Sequence, residues 1–135
     1  MYSTIIVPID IANMERAPAM IAAARTLGPE ARIVLVYAVE ALPSHIMAEV
    51  PVDILPQTRE RAEKLLTGLA ADVGADAEVK VTDGHAASAI LDLADELKAD
   101  AIVIASHKPG WTDYLIGSTA ARVVRHAKCS VLVLR

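Results

Sequence analysis

Short apolar runs alternate along this chain with longer segments in which apolar residues recur at helical spacing. The runs are residues 5–9, 33–39, 78–82, 101–105 and 131–134. In the third run, apolar residues alternate with polar ones. The segments with helical spacing are about residues 16–27, 57–73, 86–97 and 118–127. A nearly continuous apolar strand is typical of a parallel sheet, because crossover helices cover both of its faces. The order βαβαβαβαβ therefore predicts an α/β fold, a doubly wound five-stranded parallel sheet with helices on both faces.

The length and composition favour one domain in a reducing compartment. A chain of 135 residues can bury its own core without disulfides or structural metal, so residues 1–135 are expected to form a single domain. Although 54% of the residues are hydrophobic, no apolar run approaches the roughly 20 residues that span a bilayer. Met1 leads directly into an apolar run without a secretory signal pattern, and Cys129 has no second cysteine to pair with. We expect a cytoplasmic protein without a membrane partner.

The charge balance disfavours nucleic acid as a partner. The formal net charge is -4, whereas nonspecific nucleic-acid binding depends on clustered lysine and arginine. A small anion would have to be held by local geometry, at loops and helix N-termini.

Four positions lie at or near the carboxyl ends of predicted strands. They are Asp10, the residues around Ala38, Gly84 and the loop that begins at Ser106. Ligands of doubly wound sheets bind outside the carboxyl ends of the strands, where the direction of winding reverses. We therefore expect these four positions to converge.

The segment from Ala105 to Thr119 is the most informative part of the sequence. Gly117 would let the backbone approach a ligand closely, and Ser118 would cap the following helix while its hydroxyl meets a phosphate. Lys108 would add positive charge. Judged by local pattern alone, Gly117-Ser118 is equally consistent with a plain turn and helix cap.

The same segment resembles the phosphate loop of the universal stress protein family, written G-x-x-G, nine residues, then G-S or G-T. Val7-Pro8-Ile9-Asp10 is similar to the first-strand signature of that family, Gly84 to its glycine after strand three, and residues 120–135 to its C-terminal helix and strand. Here Ala105 and Lys108 replace the two early glycines, and eight residues separate Lys108 from Gly117. Ala-Ser-His-Lys-Pro followed by Gly-Ser is similar to small bacterial members of the F and G type, not to the A type that does not bind ATP.

This resemblance implies a site for ATP, ADP or AMP, with Mg²⁺ arriving on the phosphates. Asp10 would face the ribose, the main chain near Ala38 the adenine edge, and Ala105 with Ser106 the ribose and first phosphate. His107, Lys108 and Pro109 would shape the phosphate loop. Gly117, Ser118 and Thr119 would hold the β and γ phosphates. The resemblance also implies nucleotide-binding positions at Pro8, Ile9 and Ile104. From its position alone, Asp10 is also consistent with a cap of the first helix.

Metal binding and catalysis have little support in the sequence. His45, His85, His107 and His126 form no HxxxH or HExxH pair, and no carboxylate lies at a recurrent ligand interval. There is no Gly-x-Ser-x-Gly elbow and no GxxxxGK[ST] phosphate loop. We expect Cys129 to be a buried small residue at the start of the last strand.

The sequence is consistent with two functions. The first is an ATP-binding stress-response regulatory protein that acts through nucleotide-dependent conformation or assembly, with hydrolysis at most slow and incidental. The alternative is a dimeric interaction module whose altered loop no longer binds nucleotide. A phosphoacceptor receiver domain is disfavoured, since Asp10 has no adjacent acid and a long helix and a strand follow Lys108-Pro109.

The last apolar run predicts a homodimer. Val131, Leu132, Val133 and Leu134 would form an uncovered edge strand, which invites pairing with another chain. The resemblance implies antiparallel contacts of this strand across a two-fold axis. Residues 40–56 contain three prolines and are too long for an ordinary connection, so they predict a lid, a mobile flap or the second interface of a tetramer.

Overall fold

A computed structural model describes residues 2–40, 54–74, 76–106 and 117–135, with the backbone alone for 54–56. Its strands are β1 (Thr4–Pro8), β2 (Arg32–Val39), β3 (Ala77–Asp83), β4 (Ala101–Ala105) and β5 (Ser130–Leu134). Its helices are α1 (Ala17–Leu27), α2 (Ile54–Asp72), α3 (Ala86–Leu97) and α4 (Ser118–His126), and a 3-10 turn (Met14–Arg16) leads into α1. The predicted alternation of strands and helices is confirmed.

The strands form one five-stranded parallel sheet in the order β3-β2-β1-β4-β5. Helices α1 and α2 pack on one face, and α3 and α4 pack on the other. The chain therefore winds outward from β1 to β3, then crosses to the far side of β1 and winds outward again. This is the predicted doubly wound fold, and its winding direction reverses between β1 and β4.

The core consists of two apolar layers divided by the sheet. Successive side chains of a strand point to opposite faces. Ile5 and Val7 belong to the layer beneath α1 and α2, whereas Ile6 belongs to the layer beneath α3 and α4. All three are fully buried, and each contributes about 1.5–3 kcal/mol by the removal of its side chain from water.

The two strands at the reversal point pair along only part of their length. β1 is in register with β2 from Thr4–Arg32 to Pro8–Val36. Its register with β4 consists of Ile5–Ala101 and Ile6–Ile102, both near the amino ends of the strands. The described pairing of β1 with β4 therefore ends before the carboxyl ends of the two strands.

Asp100 fastens the amino ends of the same two strands. Its carboxylate accepts hydrogen bonds from the backbone N–H of Ser3 at 2.8 Å and of Thr4 at 2.9 Å. Its own N–H donates to the carbonyl of Thr4 at 3.0 Å. Desolvation acts to raise the pKa of Asp100, but these N–H donors outweigh it and hold the pKa below its usual value.

Two expectations from the sequence need correction. Helix α2 begins at Ile54, so Pro56 lies within its first turn, where the missing N–H has no intrahelical partner to lose. Residues 41–53, which hold the rest of the proline-containing segment, lie outside the described residues. Cys129 is only partly buried, because it precedes an edge strand that has a neighbour on one side. Desolvation, followed by the nearby Asp100 carboxylate, raises the pKa of the Cys129 thiol.

We predict that Asp100→Ala lowers the free energy of unfolding by about 1–2 kcal/mol, because two N–H groups of the β1 end lose a charged acceptor. Urea denaturation at neutral pH measures this loss. Since the folded pKa of Asp100 is depressed, its contribution is complete above the ordinary carboxyl pKa of about 4 and disappears as the pH falls below it.

The control is Asp95→Ala, which removes an exposed carboxylate that lies 3.5 Å from Lys128. A surface ion pair of this kind contributes about 0–1 kcal/mol. Equal effects of the two substitutions would contradict the anchoring role of Asp100.

Candidate functional site

A cleft of about 580 Å³ opens at the carboxyl ends of β1, β2 and β4 and at the first turn of α4. Ile9, Val36 and Ile104 are among its lining residues and belong to the buried core. The volume lies within the range of about 300–1,000 Å³ that is usual for small-molecule sites. The cleft therefore lies where a doubly wound sheet is expected to bind a ligand.

The cleft brings together every predicted site residue that falls within the described ranges. These residues are Pro8, Ile9, Asp10, Ala38, Ile104, Ala105, Ser106, Gly117, Ser118 and Thr119. His107, Lys108 and Pro109 lie outside the described residues.

Gly84 does not line the cleft, so the expected convergence does not include it. Its φ of 114° is a conformation that side-chain-bearing residues rarely adopt, and its N–H donates to the carbonyl of Val39 at 3.0 Å. This bond ties the segment after β3 to the end of β2. The helix that follows it contributes Ala86 and Ile90 to the cleft instead.

The loop after β1 is held in shape by backbone bonds and by Asp10. The N–H of Ile9 donates to the carbonyl of Val36 at 2.8 Å, which ties the end of β1 to β2. Oδ1 of Asp10 accepts a hydrogen bond from the N–H of Ala12 at 2.9 Å, and the Asp10 carbonyl accepts one from Asn13 at 3.0 Å. Asp10 therefore closes a local turn.

The reading of Asp10 as a cap of the first helix is wrong. The residue at the cap position of α1 is Arg16, and a 3-10 turn intervenes between it and the Asp10 turn. Asp10 consequently lines the cleft before the helix begins.

Ser106 is fixed from two sides. It is 9% exposed and follows the last residue of β4. Its N–H donates to the carbonyl of Leu134 at 2.8 Å, and its carbonyl accepts a hydrogen bond from Nη1 of Arg16 at 2.7 Å. The residue expected to meet the ribose and first phosphate is thus held at a defined position.

The expectation that Ser118 caps α4 is wrong. The cap position is Gly117, whose carbonyl accepts the first helical hydrogen bond, from Ala121 at 2.9 Å. Ser118 is the first residue of the helix and is exposed, and no side-chain hydrogen bond caps this end. Because the first N–H groups of a helix have no intrahelical acceptor, this end of α4 favours an anion in the cleft.

The end of β2 gives the cleft an acidic side. Tyr37, Ala38 and Glu40 line it there, and Oε1 of Glu40 lies 3.4 Å from the N–H of Ala86 at the start of α3. Desolvation, followed by the charges of Asp10 and Glu40, raises the pKa of Tyr37. The Tyr37 hydroxyl therefore keeps its proton at neutral pH.

Sequence reasoning missed the cleft residues Arg16, Tyr37 and Glu40. Arg16 was assigned only to the start of the first helix, although its place just beyond the β1 loop puts it at the carboxyl edge of the sheet. Tyr37 and Glu40 flank the Ala38 position that was singled out. Their positions beside a strand end were the available signal.

The described ranges contain no group of three or more histidine, cysteine, aspartate or glutamate residues that could hold a metal ion. Among the helices described, none is long and apolar enough to cross a membrane.

The doubly wound sheet with its cleft at the reversal point defines an α/β protein of the Rossmann-like class. The model of the universal stress protein family matches residues 1–135. Universal stress protein G of Salmonella typhimurium is 30% identical over 142 residues, with 100% of both chains covered. This chain belongs to the universal stress protein family, and the resemblance noted in its sequence is confirmed.

Solved structures agree with the fold. A universal stress protein in complex with cAMP has a TM-score of 0.73 at 23% identity, covering 99% of this chain and 97% of the other. The universal stress protein of Archaeoglobus fulgidus in complex with dAMP has a TM-score of 0.69 at 20% identity, covering 99% and 98%.

Proposed function

We propose that this protein binds an adenine nucleotide in the cleft and acts as a stress-response regulatory protein through nucleotide-dependent conformation or assembly. One observation carries the proposal. The cleft at the reversal point joins the predicted ribose, adenine and phosphate residues, which come from β1, β2, β4 and the N-terminus of α4.

In this proposal each wall of the cleft binds one part of the nucleotide. Asp10 meets the ribose, and the main chain near Ala38 meets the adenine edge. The phosphates lie between Ser106 and the first turn of α4, with Gly117, Ser118 and Thr119 next to the β and γ groups. Mg²⁺ arrives with a polyphosphate and keeps phosphate and water ligands.

The two related complexes support an adenine nucleotide in particular. Their ligands, cAMP and dAMP, share adenine and one phosphate but differ in the ribose hydroxyl groups. ATP, ADP and AMP share the same adenine and first phosphate, so all three are candidates for this cleft.

Binding, not catalysis, is the proposed activity, with ATP hydrolysis at most slow and incidental. The sequence supports this because it contains neither a Gly-x-Ser-x-Gly elbow nor a GxxxxGK[ST] phosphate loop. We further propose that residues 1–135 act as a single domain in the cytoplasm, which agrees with the lone cysteine.

We predict that Gly117→Val abolishes ATP binding measured by isothermal titration calorimetry, because its side chain would occupy space next to the phosphates. The φ of -60° and ψ of 157° at Gly117 are open to other residues, so the variant should still fold. Ala121→Val is the control, since it also introduces a valine near the start of α4 but at a position that does not line the cleft.

Unchanged ATP affinity in a folded Gly117→Val protein would remove the phosphate site from this end of α4. If the wild-type protein binds neither ATP nor AMP, the alternative function, a dimeric interaction module without nucleotide, is supported instead.

We also propose that the protein is a homodimer built on β5. β5 is an edge strand, and Leu132 is 36% exposed on it, with Val131, Val133 and Leu134 partly buried. The opposite edge strand, β3, is bound by a charged side chain instead. Arg59 donates a hydrogen bond to the carbonyl of Val81 at 2.8 Å and forms an ion pair with Asp83. The apolar edge is the better one for pairing with a second copy.

We predict that Leu132→Lys shifts the protein from dimer to monomer in light scattering, because like charges would lie close together across the two-fold axis. Val73→Lys is the matched control, since Val73 is equally exposed at 36% but follows α2. A wild-type mass of one chain at micromolar concentration would contradict the dimer. A tetramer would require a second interface, for which residues 40–56 remain the candidate.

A further inference from the structure

Arg16 lies at the start of α1, beside the cleft. It is partly buried and lines the cleft. Its Nη1 donates to the carbonyl of Ser106 at 2.7 Å, a contact between residues 90 positions apart in the sequence. The guanidinium therefore reaches from the β1 side of the cleft to the end of β4.

This guanidinium has no carboxylate partner of its own within the described ranges, where the ion pairs involve other residues. The carboxylate of the adjacent Glu15 lies next to the side-chain amide of Asn13. A guanidinium carries five N–H donors, and the bond to Ser106 uses one of them.

The charges around the cleft make this cation significant. The described lining contains the carboxylates of Asp10, Glu15 and Glu40, and among these residues Arg16 supplies the positive side chain. A phosphate entering such a site is repelled by the carboxylates. A cation at the phosphate position has to offset that repulsion.

We propose that Arg16 binds the first phosphate of the nucleotide, and that its bond to Ser106 holds the guanidinium in place for that contact. This inference rests on the proposed function and adds a phosphate-binding residue to the site. The planar guanidinium suits phosphate because it donates two parallel hydrogen bonds. The expected first-phosphate residue Ser106 is also the residue to which Arg16 is tied.

The experiment compares AMP with adenosine, which lacks the phosphate, by calorimetry. Arg16→Gln should weaken AMP binding by about 10-fold to 100-fold, because a charge-assisted hydrogen bond is lost. Adenosine affinity should change by less than about threefold, since adenosine lacks the phosphate to which the guanidinium would donate its charge-assisted bonds. Arg16→Lys keeps the charge without the planar fork, so its AMP affinity should be intermediate.

The matched control is Arg25→Gln. Arg25 is a partly buried arginine on α1 whose Nη1 donates to the carbonyls of Pro29 and Ala31 at 3.1 and 3.0 Å, away from the cleft. This control should melt at a lower temperature than the wild type but keep its ratio of AMP to adenosine affinity.

Three results would overturn the inference. If folded Arg16→Gln loses AMP and adenosine affinity equally, Arg16 only positions the Ser106 backbone and does not bind the phosphate. Unchanged AMP affinity would place the phosphate elsewhere. If the wild-type protein binds neither ligand, the proposed function itself fails and this inference with it, a result that is distinct from the first two.

Discussion

The pairing of β1 with β4 ends after two residue pairs, and the position of the cleft depends on that early end. The crossover from β1 runs over one face of the sheet, and the crossover from β4 runs over the other. The cleft lies at the carboxyl ends of these two strands, between the described parts of the two crossovers. Asp100 fastens the opposite, amino ends through Ser3 and Thr4, so the strands are closed at one end and open at the other.

The open end is suited to an anion by two features that are far apart in the sequence. One is the N-terminus of α4, where the cap position is Gly117 and no side-chain hydrogen bond caps the helix. The other is Arg16, which bonds to the carbonyl of Ser106. Both offset the carboxylates of Asp10, Glu15 and Glu40 in the same cleft. These two features would let the proposed nucleotide bind to a chain whose net charge of -4 disfavours polyanions.

The elements that could be predicted from sequence are those determined by local pattern. Buried strands such as β4 appear as apolar runs bounded by polar residues, and α3 as helical spacing between two turns. The errors arose where a local signal has two readings. A proline such as Pro56 can break a helix or lie in its first turn, and it lies in the first turn of α2. The Gly117-Ser118 pattern allows either residue to cap α4, and the cap is Gly117. Arg16 was missed because its partner, Ser106, is brought near only by the fold.

The central claim is that the open end of the β1–β4 pair binds an adenine nucleotide. A titration of ¹⁵N-labelled protein with AMP, followed by amide chemical shifts, tests it directly. The account predicts that the amides of Ala12, Ser106, Gly117 and Thr119 shift, while those of Ser3 and Thr4 at the amino ends stay in place. Shifts concentrated at the amino ends, or none at millimolar AMP, would contradict it.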